Sequence, residues 1–378
     1  MPVGKKIETP CFLIDVNKVK QKYQTFKKAI TDCNRNDIIA YSIKANYDKN
    51  IVTMLDNSGA FFEVCSEFEL SKLQEYNIEL NKIVINGFIE NKNMVLEYIN
   101  GGALVIVGSD YDLQWVNSIN FPVDIGIRIN LDYIKKDCNL YSCKRSRFGI
   151  DIRNNVLFDL ILKNKNINVI CLHCHFSGNT RDPVIYADIV NELCEIINKY
   201  KLKHVKIIDI GGGYKVGPKF WSFADYVNNI VAALKSRNME KLKVIYEPGN
   251  SVVGNSCSYI TKIIDVKSIH GLTYVTVDGT SIHLFPRQGK RLLDYRIPLR
   301  KGETEEKQII VGNTCKESDV ILEINNSRKL EIGETLRFDN LGAYLLNEIP
   351  AFLLEYPSVY YVDIVDRIQP IYNFEIAE

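Results

Sequence analysis

Short apolar runs alternate with helical patterns over the first two thirds of the chain. The runs are rich in β-branched and aromatic residues, which is typical of strands buried in a parallel sheet. Eight of them follow one another, at residues 38–43, 60–64, 82–86, 103–107, 123–129, 169–173, 205–210 and 243–247. Eight strands in βα alternation is the number that closes a (β/α)8 barrel.

After about residue 252 the rhythm changes. Strand-like runs now follow one another directly, which indicates an all-β segment. They lie at residues 258–266, 274–277, 308–311, 336–338 and 359–364. A further run at residues 11–15 precedes the barrel, and we expect it to join this segment. The sequence therefore predicts an α/β protein with a barrel of residues 17–255 and a C-terminal β-sandwich or β-barrel domain, in which residues 1–16 join residues 256–378.

The composition narrows the classes of partner. The chain has 378 residues, of which 46% are apolar and 25% charged, with a net charge of +1, so neither nucleic acid nor an anionic membrane is favoured. The ten cysteines show no metal-binding or disulfide spacing. The chain has no signal-peptide pattern, and no apolar run approaches the roughly 20 residues of a membrane span. We expect a cytoplasmic protein with reduced thiols.

Lys44 ends the first barrel run, where the apolar residues stop and a polar turn begins. The carboxyl ends of barrel strands are where ligands bind. An apolar pocket disfavours the charged form of a lysine, which would make the amine a nucleophile toward a carbonyl. The alternative is that Lys44 extends from the strand end into water.

Other strand ends carry candidate chemistry. Gly211–Gly213 follow a strand and either let backbone N–H groups approach a phosphate or form an ordinary turn. Glu247 precedes a Pro-Gly turn, and its carboxylate either holds a proton on a pyridine nitrogen or faces water. His173 and His175 share a face by the period of two, which leaves a metal site, a ring stacked on a flat cofactor or two structural histidines open. Because a metal would need further ligands, none is predicted.

Three further segments add polar donors. Ser177 and Gly178 follow the histidines and can donate to a phosphate. Cys315 lies in a loop with a base and two acids and is either a proton donor or a small buried residue. Tyr344 supplies an aromatic hydroxyl after a strand.

Eight short segments occur together along nearly the whole chain. They are YSIKAN (41–46), EVCS (63–66), SRFG (146–149), LHCH (172–175), DIGGGY (209–214), EPG (247–249), GNTC (312–315) and GAY (342–344). In this order they resemble the alanine-racemase-like (fold type III) pyridoxal-phosphate decarboxylases, the family of diaminopimelate, ornithine and arginine decarboxylases.

The resemblance implies a role for each matching residue. Lys44 would bind pyridoxal phosphate covalently, His175 would stack on its ring, and Glu247 would pair with the ring nitrogen. Tyr344 would also lie near the cofactor. The other predicted cofactor-binding residues are Ser177, Gly178, Gly211, Gly212, Gly213, Gly249 and Asn250.

The resemblance also implies a head-to-tail homodimer whose active sites lie between subunits. Cys315 would reach across to donate a proton to the reacting carbon, so it is predicted to be catalytic together with Lys44 and His175. Arg147 would pair with the acid at Asp319 of the other subunit.

Three departures from the family pattern bear on the substrate. Asn250 replaces an arginine that binds phosphate or a substrate carboxylate. Ser177 and Gly178 stand in the reverse of the family order. Lys316 replaces the acidic residue that receives the substrate's distal amine, and Glu317 stands one position later.

We therefore expect a decarboxylase of an amino acid or amino-acid conjugate whose distal group is not a simple ammonium. The predicted substrate-binding residues are Arg287, Lys316, Glu317, Tyr344 and Phe352. The alternatives are a diaminopimelate decarboxylase, in which Arg287 receives the distal carboxylate, and an ornithine- or lysine-type decarboxylase, in which Glu317 takes the acidic role.

Two further hypotheses come from other functional classes. A racemase on the same barrel is disfavoured by the Cys315 motif and the long β segment. A catalytically inactive regulatory homologue is disfavoured because Lys44, the three glycines and Glu247 all remain.

Overall fold

The computed structural model describes residues 7–88, 91–131, 146–153, 155–176, 180–285, 293–298, 301–350, 352–362 and 374–376. The chain divides into two compact units. One, here called the barrel unit, spans Gln21–Val252, and the other, the β unit, combines Met1–Lys20 with Val253–Glu378.

In the described part of the barrel unit, eight parallel strands close into a barrel, as predicted from the sequence. The strands are β2 (Ile38–Ser42), β3 (Phe61–Val64), β4 (Ile83–Ile85), β5 (Leu104–Val107), β6 (Val123–Arg128), β7 (Ile167–His173), β8 (Ile207–Asp209) and β9 (Lys243–Tyr246). β2 pairs with β9 through Ile38 and Ile245, which closes the ring. The interior is filled by apolar side chains of alternate strand positions, including Ala40, Val84, Ile106 and Ile245.

A helix follows each barrel strand. The helices of the chain are α1 (Val16–Asp32), α2 (Lys49–Asn57), α3 (Glu67–Glu75), α4 (Lys92–Asn100), α5 (Asp110–Asn117), α6 (Val156–Lys163), α7 (Pro183–Lys199), α8 (Phe223–Ser236) and α9 (Asn250–Val253). From α2 to α8, each begins after a polar residue whose side chain accepts a hydrogen bond from the first turn, namely Asp48, Ser66, Asn91, Ser109, Asn155, Asp182 and Ser222. These caps fix where each helix starts.

Nine described strands form the sheet of the β unit. They are β1 (Cys11–Ile14), β10 (Cys257–Ile269), β11 (Leu272–Val277), β12 (Asp294–Pro298), β13 (Thr304–Val311), β14 (Val320–Arg328), β15 (Thr335–Asp339), β16 (Ser358–Tyr361) and β17 (Phe374–Ile376). β1 pairs antiparallel with β10 and parallel with β16, which confirms that the N-terminal strand joins this domain. The sequence pattern missed β12, β14 and β17.

The missed strand β14 shows why. It pairs with β13 alone and lies at the end of the strand order, so much of it is exposed. A strand with one neighbour and polar side chains lacks the apolar run by which the other strands were found. In the parts of the chain that the structure describes, no helix has the length and apolar character needed to cross a membrane.

Candidate active site

Lys44 lies directly after β2, in a short 3-10 turn of residues Ile43–Ala45. Its Nζ lies 2.7 Å from Glu63 Oε1 and 2.5 Å from Glu63 Oε2. Glu63 belongs to the neighbouring strand β3, where it stands opposite Ser42 in the register. Its side chain is 1% exposed, so the lysine forms an ion pair with a buried carboxylate.

This ion pair reverses the charge state expected of Lys44. Burial, the largest single cause, lowers the pKa of the Lys44 amine, but the charges of Glu63, Cys65 and Glu247 and the hydrogen bond to Glu63 together hold that pKa well above its usual value. The same pairing lowers the pKa of Glu63 against its own burial. The expectation of a neutral amine in an apolar pocket is therefore wrong for this form of the protein.

Cys65 completes the cluster around Lys44. Its Sγ lies 3.1 Å from Lys44 Nζ and donates to Glu63 Oε1 at 2.8 Å. Its backbone N–H donates to Glu69 Oε2 at 2.6 Å. Burial, followed by the charge of Glu63, raises the pKa of the Cys65 thiol, so the thiol stays protonated and acts as a donor.

A second cluster lies at the ends of β7, β8 and β9. His173 Nδ1 lies 3.1 Å from Asp209 Oδ1 and 3.9 Å from Glu247 Oε1. Asn86 Nδ2 lies 3.2 Å from His173 Nε2 and donates to Glu247 Oε1 at 3.4 Å. All four side chains are buried. Strand pairing explains the contact, because His173 stands opposite Asp209 in the β7–β8 register.

Among the described residues, the second cluster holds buried carboxyl groups without a cation to balance them. Burial raises the pKa of Asp209 to about 7 and that of Glu247 well above its usual value, and it lowers the pKa of His173 to about 4. Within the described residues, Asp209 Oδ2 has no hydrogen-bond partner, and His173 Nδ1 has none either despite lying 3.1 Å from Asp209 Oδ1. Buried carboxyl groups without a counter-ion fit a protonated ring nitrogen, which would supply both the charge and the donor.

The metal hypothesis takes a different form in the structure. His173, Asp209 and Glu247 bring possible ligand atoms within 4.8 Å of one another. His175, which the sequence paired with His173, instead turns its Nδ1 to the backbone N–H of Gly212 at 3.1 Å. Burial and nearby positive charge lower the pKa of His175 well below its usual value, so its ring is neutral and suited to stacking on a flat cofactor.

The three-glycine loop allows three groups to approach the backbone closely. A Cβ added at any of these glycines would collide with a neighbouring atom. Such a Cβ would lie 2.4 Å from His175 Nδ1 at Gly211, 2.0 Å from the Glu247 carbonyl oxygen at Gly212, and 2.3 Å from Arg181 Nη1 at Gly213. Side chains are therefore excluded here, as expected of a cradle built from backbone.

Two tyrosine hydroxyls donate to backbone carbonyls of the same loop. Tyr214 donates to the Gly211 carbonyl at 2.6 Å, and Tyr186 donates to the Gly212 carbonyl at 3.0 Å. Tyr186 and Tyr214 stack with ring centroids 5.2 Å apart in a buried aromatic cluster. These two hydrogen bonds hold the carbonyl groups of Gly211 and Gly212 in position.

Arg128 is a site residue that the sequence reasoning missed. It ends β6, and its Nη1 donates to Asn86 Oδ1 at 3.4 Å, while its guanidinium lies 4.9 Å from the Phe148 ring centre. Its positive charge helps to lower the pKa of both site histidines after burial. The available signal was a charged residue at the end of a buried strand, the same signal that identified Lys44.

In the β unit, the predicted loop is largely exposed. Cys315, Lys316 and Glu317 are all exposed, and Lys316 Nζ lies 3.9 Å from the centre of the Phe352 ring. Asp319 is buried instead. It accepts hydrogen bonds from the Thr280 and Thr314 hydroxyls and from the backbone N–H of Ser281, at 2.6–3.0 Å. The predicted pairing of Asp319 with Arg147 stays a prediction, and it would have to compete with these bonds.

The remaining predicted site residues lie at loops and strand ends. Arg147 is exposed, with its guanidinium 4.4 Å from the Phe148 ring centre. Gly249 is buried, and Asn250 begins the short helix α9. Tyr344 is half-buried and has a positive φ of 56°. Ser177, Gly178 and Arg287 lie outside the described residues.

Comparison with known proteins places this site in a family. Residues 16–254 match the family model described as pyridoxal-dependent decarboxylase, pyridoxal binding domain. The chain belongs to the pyridoxal-dependent decarboxylases. This decarboxylase uses pyridoxal phosphate, and it acts on an amino acid. The Lys44 amine, the buried acids at the strand ends, whose pKa values burial raises, and the glycine loop fit that cofactor.

The family's curated members include similar chains. A diaminopimelate decarboxylase of Aquifex aeolicus is 25% identical over 354 residues, covering 89% of this chain and 82% of the relative. The Methanocaldococcus jannaschii diaminopimelate decarboxylase is 23% identical over 365 residues, covering 90% and 83%. Among solved structures, diaminopimelate decarboxylase from Helicobacter pylori complexed with L-lysine shares the fold of this decarboxylase, with a TM-score of 0.78 and 22% identity over 98% of this chain and 93% of that chain.

Proposed function

We propose that this decarboxylase acts on an amino acid, or an amino-acid conjugate, whose distal end carries a carboxylate or amide rather than a lone ammonium. The observation that carries the proposal is the position of Lys316 Nζ, 3.9 Å from the Phe352 ring centre and one residue after Cys315. Both Lys316 and Phe352 are predicted substrate-binding residues.

The charge of Lys316 discriminates between substrates. An ammonium over an aromatic face is stabilised by about 0.5–1 kcal/mol at an exposed site, so the Phe352 ring helps to hold Lys316 in place. A second ammonium about 4 Å away would cost about 1 kcal/mol in water, and on the order of 4 kcal/mol at an effective dielectric constant of ~20, the setting that applies if another subunit covers the exposed Lys316. Repulsion of that size is enough to exclude an ornithine- or lysine-like substrate, whereas a distal carboxylate would be attracted.

Diaminopimelate is the second candidate, and the comparisons favour it. The relatives in Aquifex aeolicus and Methanocaldococcus jannaschii are both named diaminopimelate decarboxylases. The distal centre of diaminopimelate carries an ammonium and a carboxylate together. In this decarboxylase Lys316 would contact the carboxylate, and the exposed Glu317 would receive the ammonium.

The barrel residues have roles that do not depend on the choice of substrate. Lys44 would hold the aldehyde end of the cofactor, His175 would pack against its ring, and Glu247 would hold the proton on its ring nitrogen. Bound pyridoxal phosphate supplies an electron sink for the electron pair left when CO2 departs. The N–H groups of Gly211 and Gly212 already donate to Asp209 Oδ1 and His175 Nδ1, so Gly213 is the glycine whose N–H would bind the phosphate and help to orient the ring.

We also infer that the active enzyme is a homodimer in which Cys315 serves the site of the other subunit as the proton donor. The exposure of Cys315 supports this inference, because a proton donor that works in a dry site has to be covered by another surface. Arg147, which is exposed, is the proposed interface cation.

The test of the substrate proposal is a panel of amino acids assayed for CO2 release. Wild type, Lys316→Glu and the matched charge reversal Lys329→Glu would be compared on ornithine, lysine, diaminopimelate and ω-carboxylated or amidated amino acids. Lys329 is an exposed lysine of the same unit. We expect wild type and Lys329→Glu to prefer substrates with a distal carboxylate or amide, and Lys316→Glu to shift toward ornithine or lysine.

Two outcomes would contradict the proposal. Efficient turnover of ornithine or lysine by the wild type would show that Lys316 does not repel a distal ammonium. An unchanged preference in Lys316→Glu would show that the residue lies away from the substrate. Turnover of diaminopimelate alone would establish the second candidate.

A further inference from the structure

We propose that Arg181 binds the phosphate group of the cofactor and supplies the positive charge that the glycine loop lacks. Arg181 stands in the segment between β7 and α7, outside every motif on which the resemblance rests. Its guanidinium lies against Gly213, the last glycine of the loop, closely enough that a Cβ there would come within 2.3 Å of Nη1 and 2.8 Å of Cζ.

The position of Arg181 is fixed relative to the glycine loop. Its Nη1 donates to the Phe176 carbonyl, and its own carbonyl accepts a hydrogen bond from the Tyr226 hydroxyl at 2.6 Å. The same hydroxyl accepts from the backbone N–H of Lys215 at 3.0 Å, two residues after Gly213. One tyrosine therefore ties the arginine segment to the end of the loop.

The backbone of Arg181 confirms how strongly this position is imposed. Its φ is 52°, in the left-handed region that a residue with a Cβ rarely adopts. Such a conformation persists where the surrounding contacts outweigh its cost, here the bonds from Tyr226 and to Phe176. The guanidinium is thus pre-organised beside the glycines.

The chemistry of the ligand explains why a cation is needed there. A phosphate monoester carries a charge of about −1.5 to −2 near neutral pH, and backbone N–H groups contribute no net charge. Asn250, which stands where the resemblance has an arginine, is neutral. A guanidinium is planar and presents paired donors that match phosphate oxygens, so one donor can hold Phe176 while others reach a phosphate.

The other arginine of the site is committed elsewhere. Arg128 donates to Asn86 and lies over Phe148, at the end of β6. Arg181 is the arginine that the described structure places against the glycine loop itself.

The experiment separates phosphate recognition from general effects on the barrel. Apo-protein would be titrated with pyridoxal 5′-phosphate and with pyridoxal, which differ only in the phosphate, and binding would be measured by equilibrium dialysis. For wild type, Arg181→Gln and Arg181→Ala, each dissociation constant is compared with that of the control Arg153→Ala. Arg153 is an exposed arginine of the barrel unit that pairs with Asp151.

We expect Arg181→Gln and Arg181→Ala to bind pyridoxal 5′-phosphate about tenfold to a hundredfold more weakly, the range that loss of a charged hydrogen bond implies. Their affinity for pyridoxal should stay within about twofold of wild type, and Arg181→Lys should recover part of the lost affinity. Arg181→Gln keeps a donor for the Phe176 carbonyl, so it tests the charge even where Arg181→Ala is unstable.

Two results would overturn the proposal. In the first, the phosphorylated ligand binds Arg181→Gln as tightly as it binds Arg153→Ala. In the second, both ligands are weakened equally, which would assign Arg181 a structural role. Because binding rather than turnover is measured, neither result depends on which amino acid is decarboxylated.

Discussion

The two units each contain a deeply buried aspartate, and the two carboxyl groups behave in opposite ways. Asp209, at the end of β8, accepts a hydrogen bond from the N–H of Gly211 on one oxygen, and its other oxygen has no partner in the part of the chain that the structure describes. Asp319, in the β unit, accepts hydrogen bonds from two threonine hydroxyls and a backbone N–H. Burial acts on both, but it raises the pKa of Asp209 to about 7, whereas the hydrogen bonds of Asp319 outweigh burial and lower its pKa.

The difference in hydrogen bonding shows that the Asp209 cluster has room for donors from a bound ligand, whereas Asp319 is satisfied by its own loop. In the barrel unit, the acids at the strand ends are left short of donors, which costs stability unless a bound group supplies them. In the β unit, Asp319 is satisfied internally and anchors a loop whose exposed residues, Cys315, Lys316 and Glu317, remain available for other contacts. Changes in the barrel should therefore affect every substrate, whereas changes at Lys316 and Glu317 of the loop should affect the choice among substrates.

The largest expected effect comes from removing the barrel amine. Lys44→Ala should abolish turnover of every substrate, and borohydride should no longer fix cofactor to the protein. Lys316→Ala, in the loop, should keep activity and change only the preference. CO2 release and absorbance of the reduced protein check both. If Lys44→Ala released CO2 near the wild-type rate, Lys44 would not be essential and the proposed division between barrel and loop would be wrong.

The next effect joins the two units through assembly. If Cys315 serves the other subunit's site, a mixture of inactive Lys44→Ala and inactive Cys315→Ala should recover up to about a quarter of wild-type activity. Half of the dimers are then mixed, and each mixed dimer keeps one of its two sites intact. No recovery despite demonstrated subunit exchange would place each complete site within one chain.

A smaller effect concerns how the Lys44 charge is controlled. Glu63→Gln removes the carboxylate that holds the pKa of Lys44 high, so a larger fraction of the amine is neutral at a given pH. The rate at which apo-protein binds the cofactor should therefore rise at lower pH than in wild type. A shift of one pH unit is a tenfold faster rate near neutral pH. Absorbance measures it.

The control for that experiment is Glu75→Gln, which breaks an exposed pair with Lys72. Its pH profile for cofactor binding should match that of wild type. A Glu63→Gln profile that also matches would mean that the ion pair does not limit the reactivity of Lys44.

The last prediction compares the two aspartates, and it concerns the free energy of unfolding rather than activity. Asp209 has a raised pKa, so its contribution to the free energy of unfolding is present below pH ~4 and is lost as pH rises through about 7. Asp319 has a lowered pKa, so its contribution is present above its ordinary pKa and is lost as pH falls.

Denaturant titrations of apo-protein across this pH range, on wild type, Asp209→Asn and Asp319→Asn, measure both slopes. Asp209→Asn should reduce the loss of stability toward neutral pH, by an amount on the order of a few kcal/mol. Asp319→Asn should lower stability near neutral pH and approach wild type in acid. Because His173 and Glu247 neighbour Asp209, the Asp209→Asn curve reports the titration of that whole cluster, whereas the Asp319→Asn curve leaves the cluster unchanged. If the free energy of unfolding varied with pH in the same way in both variants, the two aspartates would not differ as proposed.

The sequence by itself determined the strand order of the barrel, the β unit with its N-terminal strand, and the points where Lys44, Glu247 and the three glycines stand. These features are local, because strand alternation and strand-end residues are visible within a few positions of the chain. The edge strand β14 was not predicted, because its many polar residues do not give the apolar run by which the other strands were recognised.

Only the tertiary structure decided which charges meet. Glu63 lies 19 residues from Lys44, and it becomes the partner because β2 pairs with β3. Asp209 and His173 meet across β7 and β8, and Arg181 reaches Gly213 through a loop held by Tyr226. A pKa depends on the distance to such partners and on shared burial, and both are set when the barrel closes rather than by any local pattern of residues.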